Sequence, residues 1–265
     1  MSEQSLVAEK FFFWLVIYSM IGWCYECVLE SYRQKKIINR GFLNGPYCPI
    51  YGFGSLLDVI VLGWIKNPIV LFVTSAVLTT ILEYITSVIM EKLFHVRWWD
   101  YNEFKFVLKG KVIDVGKFNI NGRVCLVGAL AFGTLSIILV FFLHPLIVLF
   151  TDKIPYPLFH YICAGLLLLI FTDTIVTVLA FSSFNDKLKA LSANISQIKS
   201  DFKDNLDNRV QNSATYEKIN GAYDKFVKNL NSQQIRLIKA FSQLRSIDYS
   251  KLSIDVKNFI LRKKK

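Results

Sequence analysis

The sequence predicts an all-α fold: a polytopic helical membrane protein of about five transmembrane helices, followed by a cytoplasmic tail built as a helical hairpin or coiled coil. Three observations lead there. Of 265 residues, 53% are hydrophobic and the mean hydropathy is +0.39, above the roughly 45 to 50% apolar content of soluble domains. The apolar residues gather into five runs, at residues 11–29, 50–65, 69–90, 124–150 and 158–181. About 20 residues at 1.5 Å each cross the ~30 Å hydrocarbon layer, so all five runs read as spanning helices, with 50–65 the shortest. From residue 182 the chain turns to Lys, Asp, Asn, Ser and Gln, which separates a transmembrane domain, 1–181, from a tail, 182–265.

The first run opens on Phe11, Phe12, Phe13 and Trp14, an aromatic group suited to the membrane interface. It is too long for a secretory signal, carries Glu26 and has no small-x-small cleavage site, so it is expected to be retained. Glu26 and Glu30 lie four residues apart and share a helical face. A carboxylate near the bilayer centre costs ~2.5 to 3.5 kcal/mol on insertion scales, and so turns toward protein or a water-filled cavity. Glu26 is deep enough for that; Glu30 also reaches interfacial water.

The stretch from Asn39 to Ser55 organises the helices around it. Pro46 and Pro49 remove backbone donors, while Gly41, Gly45, Gly52 and Gly54 permit close backbone approach. Such a segment needs neighbouring protein to satisfy its backbone at a bilayer edge. The second helix then carries Asp58, and the third carries Glu83 in Leu82-Glu-Tyr84. Glu83 falls at the depth expected for Glu26 and Arg40, so the three are expected to form one charged cluster, as a functional site or as a static salt bridge. The fifth helix carries Asp173 on its inner half.

The inner loop, 91–123, holds His95-Val-Arg-Trp-Trp-Asp-Tyr101, a segment around Lys109-Gly-Lys111 that reads as a β-hairpin, and Asn119-Ile-Asn-Gly-Arg123. In the tail, Leu188, Leu191, Ile195, Ile198 and Phe202, then Tyr216, Ile219, Tyr223, Phe226 and Leu230, repeat at spacings of three and four, a coiled-coil seam. A polar break near Gln211-Asn-Ser213 predicts an antiparallel hairpin, with Gln233 and Ala240 weakening the seam later. The last segment places Leu252, Val256, Phe259 and Ile260 on one side and ends in Arg262 to Lys265. That end reads as a solvated helix terminus or as a contact with anionic headgroups.

Charge sets the expected topology. Residues 1–181 carry 14 basic and 12 acidic residues and 182–265 carry 17 and 8, so the net +11 belongs mainly to the tail, which argues against nucleic acid. Arg33, Lys35, Lys36 and Arg40 follow the first helix, and Lys92, Arg97, Lys105, Lys109, Lys111, Lys117 and Arg123 follow the third. Basic loops favour the cytoplasm. Five spans then place the N-terminus outside and the C-terminus in the cytoplasm of a cell-membrane protein. Cys24, Cys27, Cys48, Cys125 and Cys163 form no disulfide framework; Cys24-Tyr-Glu-Cys27 lacks the second pair that a zinc site needs and reads as small packing residues. No metal or cofactor is expected.

Gly22-Trp-Cys-Tyr-Glu26, the stretch from Asn39 to Gly52, Leu82-Glu-Tyr84, Trp98-Trp-Asp-Tyr101 and Asn119-Ile-Asn-Gly-Arg123 together resemble the ABC-transporter type IV (CmpB-like) permease family of bacterial multi-pass membrane proteins. The motif residues are Gly22, Asn39, Gly41, Gly45, Pro46, Tyr47, Pro49, Tyr51, Gly52, Trp99, Asp100, Tyr101, Asn119, Gly122 and Arg123. The resemblance covers roughly residues 15–140 and implies an inner-membrane protein working with a separate cytoplasmic ATP-binding subunit. Two departures stand out: residues 102–118 replace the family's short polar spacer, and the tail lies beyond the match.

These residues admit three readings of function. The first is a membrane transport component, an ABC-type permease subunit in which Glu26, Arg40, Glu83 and Asp173 line a polar path. No Walker A sequence is present, so a partner would supply any P-loop ATPase. The second is a scaffold or regulator that recruits partners through the tail. The third is an intramembrane enzyme acting on a lipid, with Glu26 or Glu83 as base and Arg40 or Arg123 holding an anionic group; no catalytic motif selects it. The bilayer is a partner in every reading, and a homo- or hetero-oligomer is compatible with each.

Overall fold

The computed structural model describes residues 3–102, 105–108, 111–203, 210–241 and 243–262. In chain order these form α1 (Glu3–Gln34), α2 (Pro49–Leu57), α3 (Pro68–Phe94), β1 (Val96–Arg97), β2 (Lys105–Leu108), β3 (Lys111–Asp114), β4 (Asn119–Ile120), β5 (Val124–Cys125), α4 (Leu126–Ile138), α5 (His144–Asp152), α6 (Tyr156–Ser182), α7 (Phe184–Lys203), α8 (Val210–Asn229), α9 (Ser232–Ala240), β6 (Arg245–Ser246) and α10 (Ser250–Arg262). Short π turns, Asp58–Leu62 and Leu139–Leu143, extend α2 and join α4 to α5. Two compact units result, Met1–Val88 with Asp100–Val176, and Ile89–Trp99 with Thr177–Lys265.

Among the described residues, four helices are long and apolar enough to cross a membrane by length and composition: Gln4–Gln34, Pro68–Phe94, Leu126–Asp152 and Tyr156–Ile198. The second of the five expected helices is shorter than the rest. Pro49–Leu62 covers about 21 Å at 1.5 Å per residue, less than a full hydrocarbon layer.

The first unit is arranged with its polar side inward. Along α3, Ile69, Val73, Val77, Ile81, Ile85 and Ile89 recur in fours and are all at least half exposed, while Ser75, Glu83 and Ser87 are buried on the same helix. An exposed apolar stripe of this length is a lipid-facing surface. Helices α1 and α3 each stop on a residue of positive φ, Lys35 and His95, whose successors or own amides bond back into the last turn, Lys36 N to Ser31 O at 3.2 Å and His95 N to Glu91 O at 2.8 Å.

Helices α1 and α2 approach each other closely. A Cβ on Gly52 would overlap Ser19 Oγ and lie 2.5 Å from the Leu15 carbonyl oxygen, and one on Gly22 would enter the Tyr51 ring. Backbone therefore meets backbone where side chains are missing. Beside this contact, Tyr18, Leu139 and Ile147 form a buried cluster with Leu56 and Val59, and Leu62, Ile65 and Leu71 form another with Leu78 and Val140.

In the inner loop β2 and β3 pair antiparallel, Lys105 opposite Asp114 and Leu108 opposite Lys111. The hairpin expected there is present, with its Lys109-Gly110 turn outside the described residues.

The second unit gathers Phe94, Trp98, Phe181, Phe184 and Phe241 into an aromatic core, with Trp98 4.8 Å from Phe181 and 5.1 Å from Phe241 between ring centroids. β1 pairs antiparallel with β6. Lys187 Nζ, early in α7, donates to Asn229 O at the end of α8 at 2.8 Å, so the two helices run antiparallel. Leu188, Leu191, Ile195, Phe226 and Leu230 are buried, while the side chains of Phe202 and Tyr216 lie outside the described residues. Gln211-Asn-Ser213, where the sequence places the polar break, is helical within α8, and residues 204–209 lie outside the described residues. Gln233, Gln234 and Ala240 are buried rather than loosening the structure: Gln234 completes a capping box with Asn231, and both side chains donate to Ala180 O near the end of α6. Val256 and Ile260 of α10 are buried too, and residues 263–265 of the basic end lie outside the described residues.

Replacing Gly52 by Val should lower the thermal unfolding midpoint of the detergent-purified protein, at an overpacking cost of about 1 to 3 kcal/mol. Gly165→Ala, whose Cβ would meet nothing within 4 Å, should leave the midpoint unchanged. Equal effects of the two would show that the α1 and α2 contact is not close-packed.

Candidate functional site

The site is built by a loop that turns back along α1. After α1 ends, Ile38 N donates to Ser31 Oγ at 3.0 Å, Arg40 N to Cys27 Sγ at 3.2 Å, and Cys48 N to Ser19 O at 2.9 Å. The partners step down α1 from residue 31 to residue 19, which is about 18 Å at helical rise. Residues 38–48 thus run inward beside their own helix without regular structure. Trp23 Nε1 holds Asn39 Oδ1 at 2.8 Å, and Pro49 at the first position of α2 restarts the helix where its missing N–H costs nothing.

This path carries Arg40 into the first unit. Its Nε lies 3.2 Å from Glu26 Oε2 and its Nη1 3.5 Å from Glu30 Oε1. Glu30, 5% exposed, also takes Arg33 in a two-pronged contact at 2.5 and 2.8 Å and a hydrogen bond from Gln34. Tyr51 of α2 donates to Glu26 Oε1 at 2.6 Å. The expected pairing of Glu26 with Arg40 is therefore direct, and Glu30, expected to reach interfacial water, is buried as part of it.

Glu83 stands apart from Arg40. Its Oε1 accepts from Tyr101 Oη at 3.1 Å, and among the described residues no cation lies within ion-pair distance of it. Its link to Glu26 runs through Tyr51, which bonds Glu26 and lines the same cavity as Glu83. That cavity, about 80 Å³, is walled by α2, α3 and α4 and includes Ser55, Asp58, Thr79, Glu83, Phe132 and Ser136. Asp58 is 2% exposed. Ser75 Oγ lies 2.9 and 3.0 Å from its two oxygens, Ser136 Oγ also donates to it, and the two hydroxyls touch each other. Asp58 is not among the candidates that the sequence brings forward. The one-dimensional signal that could have raised it is a serine on each of two other apolar helices, Ser75 and Ser136, small donors able to meet a buried carboxylate.

Tyr101 is delivered by two motifs that are 17 residues apart in sequence. Tyr101 N donates to Gly122 O at 2.8 Å, and Gly122 N donates to Asn119 Oδ1 at 2.7 Å. Gly122 has φ 68°, and a Cβ there would strike Asp100 Oδ1 and the Asn102 amide, so the position requires glycine on both counts. Burial and then the Glu83 carboxylate push the Tyr101 hydroxyl well above its ordinary range, which keeps it a neutral donor. Arg123 turns elsewhere, to Ser87 Oγ at 3.0 Å and over the Tyr84 ring.

Asp173 meets none of the other acids. One oxygen accepts from Asn44 N at 3.1 Å and Asn44 Nδ2 at 2.8 Å, the other from Gly45 N at 2.8 Å and Tyr47 Oη at 2.5 Å. It clamps the descending loop. Burial, followed by the bond to Asp173, raises the Tyr47 hydroxyl far above its usual range. Trp99 is half-buried in the second unit. Among the described residues no group of three or more His, Cys, Asp or Glu could hold a metal ion.

The family model described as "Putative ABC-transporter type IV" matches residues 13–116 and 114–178 of the chain. The match takes in the descending loop, the cavity and both inner-loop motifs, and stops where the tail begins. No curated protein and no solved structure matches the chain.

Arg40→Gln should destabilise the protein by about 1.5 to 3 kcal/mol, because it removes a charged partner from half-buried Glu26 and buried Glu30; adding Glu26→Gln should recover a large part of that loss, as read from urea or thermal unfolding of the two variants. Asp173→Ala should cost about 1 to 3 kcal/mol in all, chiefly through the part-buried Gly45 amide and Tyr47 hydroxyl it leaves unpaired, and should speed maleimide labelling of Cys48 in a background where the other four cysteines are serine. An unchanged labelling rate would mean that Asp173 does not hold the loop.

Proposed function

The chain belongs to the Putative ABC-transporter type IV family, and from that premise we propose that it is an integral membrane transport component: a permease subunit that works with a separate ATP-binding partner. The observation that carries this reading is the descending loop with the groups it brings together. Irregular backbone inside a membrane protein is sustained where it is enclosed by protein or lines a cavity, and short or Gly- and Pro-interrupted helices are where transporters place their sites. Here one such segment sets Arg40 against Glu26 and Glu30, and the short helix after it walls a cavity holding Asp58 and Glu83.

In this proposal Glu26, Arg40 and Glu83 are the polar elements of the path, with Tyr51 and Tyr101 as hydroxyl donors between them. Asp173 serves the path indirectly by fixing the loop. The family match supports the role of the first unit and says nothing of the tail. Tail helices α7 to α10 and the basic inner loop are the surfaces on which a soluble ATP-binding subunit would act. The competing reading as a scaffold draws on the same tail, and the two differ in what the buried charges do.

The test is purification from native membranes in mild detergent with wild-type, Glu26→Gln and Glu83→Gln proteins. The proposal expects a stoichiometric ATP-binding protein with all three, and an ATPase rate in reconstituted vesicles that falls about tenfold or more in the variants, equivalent to at least ~1.4 kcal/mol of lost coupling. Variants that keep full ATPase activity with the partner bound would make the chain a scaffold. Co-purification of a stoichiometric lipid with no protein partner would overturn the transport reading in favour of lipid chemistry.

A further inference from the structure

The cavity between α2, α3 and α4 poses a charge problem that the rest of the site does not share. Asp58 and Glu83 both line it, and they are 2% and 7% exposed. Their partners are hydroxyls: Ser75 and Ser136 for Asp58, Tyr101 for Glu83. The arginines of the site have other partners, Arg40 with Glu26 and Glu30, Arg123 with Ser87. From α1, Glu26 adds a further negative field at Glu83, and Cys125 faces it ahead of α4. Among the described residues, no element packed against the cavity supplies a positive charge within ion-pair distance of either carboxylate.

One atom points directly to an occupant. Glu83 Oε2 accepts no hydrogen bond among the described residues, although its side chain is more than nine-tenths buried and lines the cavity. This oxygen opens on the cavity rather than being enclosed by protein, so a partner for it has to come from within the cavity. The space is large enough for small guests, since about 10 to 15 Å³ of such volume admits a water. Oxygen atoms from Asp58, Ser136, Ser55 and Thr79 complete a hard-donor lining. Both π turns also begin at the cavity wall, at Asp58 and Leu139, and π turns inside helices gather at functional sites.

We propose that this cavity holds one exchangeable monovalent positive charge, a proton or a small alkali cation, shared between Asp58 and Glu83. The charge cancels one of the two carboxylate charges, leaving a single negative charge for the hydroxyls of Ser75, Ser136 and Tyr101 to stabilise. The inference rests on the transport reading for its purpose, as the coupling or carried ion, yet it concerns occupancy at equilibrium, which can be measured with no transport and no ATP-binding partner present.

The experiment uses the full chain in lipid nanodiscs, with infrared difference spectroscopy at neutral pH in choline chloride and then in sodium chloride. Asp58→Asn, Glu83→Gln and, as a control far from the cavity, Asp152→Asn are measured alongside the wild type. The expected result is a band from a buried carboxylic acid in choline that is lost in Glu83→Gln or Asp58→Asn and kept in Asp152→Asn. A band indifferent to sodium identifies the guest as a proton; a band abolished by sodium, with release of about one proton per chain into a weakly buffered medium, identifies an alkali cation. Absence of the band in choline, or a band that survives in both cavity variants, overturns the proposal. Because Glu83→Gln keeps the acceptor for Tyr101, it reports on charge even should Asp58→Asn fold poorly. Failure here would leave the ATPase-coupling result untouched, and failure of coupling would leave this band in place.

Discussion

Backbone polar groups without a helix to satisfy them must find partners inside the protein, and residues 38–48 are where this chain meets that demand. The loop's amides go to Ser31 Oγ, Cys27 Sγ, the Ser19 carbonyl and the Asp173 carboxylate. Each partner sits on a long apolar helix, so the loop is tied at several heights along α1 and once to α6. The loss of any one would leave a donor stranded where water is scarce. Gly22 and Gly52 belong to the same arrangement, since α2 can start deep against α1 only where no side chain stands between their backbones.

The arginine that travels with this loop decides how charge is distributed in the first unit. Arg40 sits between two carboxylates of one helix face, and Arg33 reinforces the outer one. This is a compensated network, in which several carboxylate oxygens have a guanidinium or amide in reach. Asp58 and Glu83 are ordered by hydroxyls instead. Tyr51 stands between the two environments, bonded to Glu26 and lining the cavity. Two electrostatic regimes lie side by side, separated by a single aromatic ring.

The long insertion in the inner loop is accommodated for a simple reason. Tyr101 and Gly122 hydrogen-bond directly, so the segment between them leaves and returns at one point, and β2 with β3 fold back on each other there. Lengthening a closed loop costs little, because closure entropy grows only with the logarithm of length. The donor that Glu83 receives is therefore independent of what the hairpin does.

The membrane class and the long helices were legible in the sequence, because each follows from local periodicity and run length, which lipid and helix geometry convert directly into structure. Glu26, Arg40 and their mutual contact were legible as well, since buried opposite charges at matching depth have few other solutions. Tertiary structure alone decided that the loop descends along α1, that Glu83 joins Tyr101 and a cavity rather than Arg40, that Asp173 is a clamp, and that Asp58 is more enclosed than any acid given greater weight. Those outcomes depend on which helix faces meet and on hydroxyls contributed from residues 17 to 78 positions away, and a single chain read in one dimension carries periodicity within a helix but no record of which neighbour will stand across from it.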